Sequence, residues 1–166
     1  MSDWRPTADA RALMERARMN AAVRAFFAAR GVLEVETPVL GEYGVTDPQV
    51  ESVSIPGAGF LQPSPEYHMK RLLAAGSGPI YQLARVFRAG EQGRRHNPEF
   101  SLLERYRPGF SLEDLIDECL ALLDQLLETS SRETWTYRER FAHELGLDPL
   151  TTDLAALREQ AGPDAP

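Results

Sequence analysis

The chain of 166 residues is 43% hydrophobic and 26% charged, enough apolar material for one domain with a real core and too short for two large ones. Its net charge of −7 is unevenly placed: residues 70–107 carry eight Lys or Arg against three Glu, a local +5, which leaves −12 for the rest and argues against the broad basic face of a nucleic-acid binder. The single cysteine, Cys119, excludes an internal disulfide framework and reads as a small core residue, no apolar leader follows the start, and no run approaches the roughly 18 apolar residues of a membrane span, so a soluble, cytoplasmic protein is expected.

Residues 9–30 lack Pro and Gly and place Leu13, Ala17, Ala21, Phe26 and Phe27 at helical spacing, which predicts a first helix closed by Gly31. The β-branched segment 32–40 reads as a strand that ends or lies on a sheet edge at Pro38, whose nitrogen cannot donate to a ladder. An exposed helix and edge strand of this kind offer a surface to a second copy of the chain. Residues 41–59, rich in glycine, read as loop with one short strand near 50–55. Ser64, Pro65 and Glu66 predict a helix over 65–75, with Ser as N-cap, Pro at the first helical position and a carboxylate against the dipole.

Segments 80–88 and 99–106 read as the two strands of a hairpin around the polar loop 90–98. Beyond Pro108, Ser111 caps a predicted helix whose Leu115, Ile116, Cys119, Leu122, Leu123, Leu126 and Leu127 make a wide face for packing on a sheet. Two shorter helices are predicted over 135–145, ended by Gly146, and over 153–160; the tail 161–166 is expected to be disordered.

Alternation along the second hairpin strand puts Phe100, Leu102, Glu104 and Tyr106 on one face and Ser101, Leu103 and Arg105 on the other. With Arg88 on the first of these faces, a cation, a stacking ring and a carboxylate converge. Activating a carboxylate with ATP calls for a cation on the α-phosphate, where charge builds in the transition state, an aromatic clamp on adenine, and a metal held by carboxylates. Arg88 suits the α-phosphate, because a guanidinium presents a planar fork to its oxygens. Phe100 suits adenine. Arg94, Arg95 and His96 stand near the outer phosphates, with solvent an equal alternative for Arg95. Glu104 with Tyr106, and Glu66 across the site, suit the ammonium groups of an amino acid, since a buried carboxylate needs a cationic partner. His68 and His143 have no metal-ligand companions and read as structural.

Residues 31–40 (GVLEVETPVL) resemble motif 1 of the class II aminoacyl-tRNA synthetases, and residues 87–100 (FRAGEQGRRHNPEF) resemble their motif 2. Within that class, 64–72 (SPEYHMKRL) and 95–100 (RHNPEF) are similar to the lysyl branch, and most of all to the elongation factor P lysine ligases, which lack an anticodon-binding domain. The resemblance implies an α+β fold for residues 1–160: a partial class II aminoacyl-tRNA synthetase catalytic domain, an antiparallel sheet flanked by helices, dimerising with its own copy through motif 1. It implies an ATP-dependent ligase that forms an adenylate of lysine or β-lysine and passes the acyl group to a lysine of elongation factor P, with no tRNA partner and no membrane. Arg88 would bind the α-phosphate and substrate carboxylate, Arg94, His96 and Asn97 the rest of ATP, Phe100 the adenine, and Glu66, Glu104 and Tyr106 the lysine. Mg2+ is implied as cofactor, with its ligands past residue 166 and none among the residues present.

Three departures from the family pattern stand out. Glu91 sits one place later than the carboxylate usual after the motif 2 arginine, and Arg105 stands where an apolar or aromatic residue is usual. No motif 3 can be placed beyond Tyr106, where the glycines are Gly109, Gly146 and Gly162. Half a catalytic domain is therefore expected, with an exposed sheet edge and poor solubility on its own. A fragment of a lysyl-tRNA synthetase and a non-catalytic nucleotide-binding or dimerisation remnant are the alternatives.

Overall fold

The computed structural model describes residues 4–127 and 132–161. The chain falls into two compact units, residues 1–128 and 129–166. The first unit runs α1 (Ala10–Ala28), β1 (Leu33–Glu34), β2 (Leu40–Gly41), β3 (Ser54–Ile55), β4 (Gly59–Leu61), α2 (Glu66–Ala74), β5 (Ile80–Phe87), β6 (Glu99–Tyr106) and α3 (Leu112–Leu127). The second holds α4 (Tyr137–Leu145) and α5 (Leu154–Ala161).

The hairpin of β5 and β6 pairs antiparallel over eight residues a strand, from Ile80 opposite Tyr106 to Phe87 opposite Glu99. β1 joins the other side of β5 in parallel, with Leu33 opposite Ile80 and Glu34 opposite Tyr81. The sheet is thus mixed, in the order β1-β5-β6, where an all-antiparallel one was expected. The connection from β1 to β5 explains this: it is long and contains α2, and a crossover of that kind returns the chain in the same direction.

The predicted strand over 32–40 pairs with β5 only as far as the Val35 N–H, which donates to the Tyr81 carbonyl at 2.9 Å. Past Pro38 the chain crosses to a second small sheet, β2-β4-β3. There Gly59, at φ 126°, lies against Gly41 so closely that a Cβ would stand 2.2 Å from the Gly41 carbonyl oxygen. Gly59→Ala is therefore expected to cost about 1–3 kcal/mol. A urea midpoint equal to that of the parent chain would contradict this.

α1 and α3 cover the face of the main sheet that carries the odd-numbered side chains. Val23, Phe26 and Phe27 of α1, Val32, Tyr81 and Leu122 of α3 form the buried cluster, with Leu83, Leu103, Ala121 and Leu126 packed on it. The Phe27 ring stacks on Tyr81 at 4.4 Å between centroids. The Tyr81 hydroxyl donates to Glu34 at 3.0 Å, and the same carboxylate takes Arg24 Nε on both oxygens, at 3.0 and 3.1 Å. Burial first, and then the Glu34 carboxylate, push the Tyr81 phenol up to about 12 from its ordinary 10.0. The folded state holds that proton more tightly, so the stability tied to it is complete below pH 10 and lost as pH rises to about 12. Tyr81→Phe is expected to flatten the fall of the denaturation midpoint across that window; equal slopes in both proteins would refute the assignment.

Both predicted caps of the C-terminal helices form. Ser111 Oγ accepts from the Asp114 N–H at 3.1 Å while the Asp114 carboxylate accepts from the Ser111 N–H at 2.9 Å. In the second unit, Thr136 and Glu139 make the same reciprocal box at the start of α4, and Gly146 ends that helix at φ 67°. The apolar face of α3 is only partly used: Leu122 is in the core, but Leu112, Ile116, Leu123 and Leu127 are exposed. Cys119, expected in the core, is exposed as well. The reason is that the face turned to the sheet is the one that carries Glu118 with Leu122, and Cys119 sits a helical step of about 100° beyond Glu118. The tail 161–166 lies outside the described residues, except for Ala161 at the end of α5. No helix among the described residues is long and apolar enough to cross a membrane.

Candidate functional site

The opposite face of the main sheet carries the even-numbered side chains, because residues opposed in an antiparallel pair point the same way. Val86 faces Phe100, Ala84 faces Leu102, Gln82 faces Glu104 and Ile80 faces Tyr106. Arg88 extends this row, its N–H donating to the Pro98 carbonyl at 2.9 Å. Over this face opens a cavity of about 310 Å3, walled by Arg88, Leu102 and Glu104 from the sheet, Ser64, Glu66 and His68 from the start of α2, and the loop that follows β2.

At one end of the row the Arg88 guanidinium lies 5.1 Å from the centroid of the Phe100 ring. Its Nε donates to the Pro63 carbonyl at 3.2 Å, and Nη1 stands 3.4 Å from the Glu91 carboxylate. The carboxylate displaced by one place in the sequence therefore still reaches the arginine, since the turn at Gly90, φ 76°, swings it back.

At the other end both oxygens of the Glu104 carboxylate are held by hydroxyls. Ser64 Oγ donates to Oε2 at 2.6 Å and the Tyr106 hydroxyl donates to Oε1 at 2.6 Å. Ser64 also accepts from the Glu66 N–H at 3.1 Å. Pro65, and not Ser64, occupies the N-cap position of α2. The serine thus keeps its task of satisfying a first-turn donor while spending its own proton on the sheet. Burial, and then the bond to Glu104, raise the Tyr106 phenol well above its ordinary range, so it remains a donor. Glu66 pairs with Lys70 one turn along α2, and that bond raises the lysine.

A carboxylate fixed by two O–H donors keeps free lone pairs for a cation, and an ammonium group is the simplest that fits a cavity of this size. Arg88 offers the same cavity a fork for an anion. The structure brings Arg88, Phe100, Glu104 and Tyr106 to one face, and sets Arg88, Glu66 and Glu104 around one cavity. It does not bring Arg94, Arg95, His96 or Asn97 there: all four are exposed on the loop between β5 and β6, where Gly93 and His96 bond backbone to backbone at 3.1 and 3.2 Å. His68, read as structural, lines the cavity, and so do Tyr43, Val45 and Asp47 of the glycine-rich loop. Nothing periodic marks that loop in the sequence; the close approach there is at Gly44, where a Cβ would stand 3.2 Å from Ser52 Oγ. Among the described residues no group of three or more His, Cys, Asp or Glu is placed to hold a metal ion.

The described residues make a mixed α/β fold of small sheets and five helices, with a forked cation and a clamped carboxylate facing one cavity. The model of the class II tRNA synthetases (D, K and N) matches residues 1–152, and the chain belongs to that family. It is 48% identical to the elongation factor P--(R)-beta-lysine ligase of Haemophilus influenzae (strain PittGG), over 97% of this chain and 53% of that protein. It is 51% identical to the protein of the same name from Erwinia tasmaniensis, over 97% and 53%, and 50% identical to that from Photorhabdus laumondii, over 96% and 52%. The chain spans about half the length of these curated relatives.

Proposed function

We propose that residues 1–160 are part of a class II catalytic domain whose whole enzyme joins lysine or β-lysine to a lysine of elongation factor P at the expense of ATP. In the first step a carboxylate oxygen of the amino acid attacks the α-phosphorus and pyrophosphate leaves; in the second the acceptor amine attacks the acyl carbon and AMP leaves. Arg88 binds the α-phosphate and the substrate carboxylate, Phe100 carries adenine, and Glu104, Tyr106 and Glu66 take the ammonium groups. Arg94, His96 and Asn97 serve the remaining part of ATP from the loop. Mg2+, when bound, would supply charge neutralisation on the phosphates; among the described residues there is no ligand cluster for it.

The observation that carries this reading is the pairing, across one cavity, of the Arg88 fork with a Glu104 carboxylate gripped from both sides. The names of the relatives support the choice of amino acid and acceptor. Exposed Leu13, Met14 and Met19 on α1 and Leu33 on β1 form the surface that we assign to contact with a second copy, in the cytoplasm. ATP–pyrophosphate exchange with lysine and with β-lysine, on this chain and on one extended through motif 3, tests the proposal. Exchange by the extended chain and acylation of elongation factor P are expected; no exchange by either form overturns it. The family match covers tRNA synthetases, which favours a second reading, lysine–tRNA ligation. Aminoacylation of tRNA with no modification of elongation factor P would establish that one. Nucleotide binding without exchange by either form would mark a non-catalytic module.

A further inference from the structure

α3 meets the end of β6 through three charged side chains that have no part in the chemistry above. The Glu118 side chain, on the face of α3 turned to the sheet, is 5% exposed. Arg105 donates from Nε to its Oε2 at 2.9 Å and from Nη2 to the Leu115 carbonyl at 3.1 Å. Arg107 sets its Nε 3.1 Å from Oε1, an ion contact in which the N–H is not aimed at the carboxylate. The two arginine side chains are 18% and 10% exposed, and the Arg107 guanidinium also covers the Phe110 ring at 4.2 Å.

A buried ionic trio is a poor route to stability, because an apolar set of similar volume commonly does as well or better. What such a trio does supply is a fixed geometry. Arg105 and Arg107 alternate along β6 with Glu104 and Tyr106, so the strand end is gripped on its helix side by Glu118 while its other side faces the cavity. β6 pairs only with β5 among the described strands, which leaves α3 as the second anchor of that end.

We propose that Glu118 is a positioning residue: through Arg105 and Arg107 it fixes the end of β6, and so holds the Glu104 carboxylate and the Tyr106 hydroxyl where the ammonium group of the ligand meets them. The inference rests on the reading of Glu104 as the ligand's carboxylate. It assigns to Arg105, the residue at odds with the family pattern, a task in which charge is required.

The test uses the full chain, Glu118→Gln, and the apolar set Arg105→Met, Arg107→Met and Glu118→Leu made together, which keeps the strand packed if the single variant fails to fold. NMR follows the hydroxyl protons of Tyr106, bonded to Glu104, and of Tyr81, bonded to Glu34, and calorimetry follows L-lysine. In a folded variant we expect solvent exchange of the Tyr106 hydroxyl to rise and lysine affinity to fall, each about tenfold, with the Tyr81 proton unchanged. We expect the apolar set to recover the unfolding midpoint and neither of these signatures. An unchanged Tyr106 hydroxyl in a folded variant overturns the inference, whether or not lysine binds. Equal changes at Tyr106 and Tyr81 also overturn it, since they report a general loosening. Lysine affinity that Glu104→Gln leaves intact counts against the reading of the cavity instead, and the Tyr106 proton still decides the role of Glu118.

Discussion

Phe27→Ala is expected to destabilise the first unit by about 3–5 kcal/mol, the range for truncating a fully buried phenylalanine that its surroundings cannot collapse around. Phe27 is 0% exposed, meets Phe26 edge-on at 5.2 Å, and stacks on Tyr81, which is itself pinned by Glu34. Tyr81, held in this way, cannot move freely into the space left by the ring. A loss of this size is comparable with the whole stability of a small domain. A chemical-denaturation midpoint within about 1 kcal/mol of the parent's would show that the ring is not a keystone of the packing.

Arg88→Ala is expected to lower ATP–pyrophosphate exchange by about 100- to 1000-fold in whichever length of chain supports exchange, the usual cost of removing one preorganised group from a developing charge. The side chain is only partly buried, and the contacts that hold it are with the Pro63 carbonyl, Glu91 and the ring of Phe100. The unfolding midpoint should therefore move little. Arg88→Lys should recover only a small part of the rate, since a single ammonium cannot span two oxygens as the fork does. Exchange within threefold of the parent for the alanine variant would remove Arg88 from the reaction.

The hairpin was legible from the sequence because two local signals agree there: alternation fixes which side chains share a face, and a polar stretch with Gly90 and Pro98 fixes where the chain turns. The shared face of Phe100 and Glu104 follows from alternation alone, and the pairing register then adds Arg88 to it. The Ser111 cap with Asp114 and the stop at Gly146 were legible for a similar reason, since each acts within a single turn, whereas the Thr136–Glu139 box was not read. The rest depends on contacts far apart in the chain. The β-branched run 32–40 carries no sign that only its first residues pair with β5, or that they do so in parallel. The leucines of α3 outnumber its one buried carboxylate, yet the face that meets the sheet carries Glu118 beside Leu122, with two arginines paired to it there. The cavity wall drawn from residues 43–50 has no periodic pattern to read.

The Arg88 guanidinium proposed for the phosphate is already paired. Glu91 stands beside the guanidinium already, at an ion pair about 70% shielded from water on either side. On the reading proposed above, an incoming phosphate would approach a guanidinium whose attraction is already partly spent on Glu91, so its net gain would be the difference between two attractions of like kind. Added salt weakens both, and the balance between them shifts less than either alone. On that reading Glu91 would be a built-in competitor, setting a floor on how weakly charged a visitor could be and still win the guanidinium.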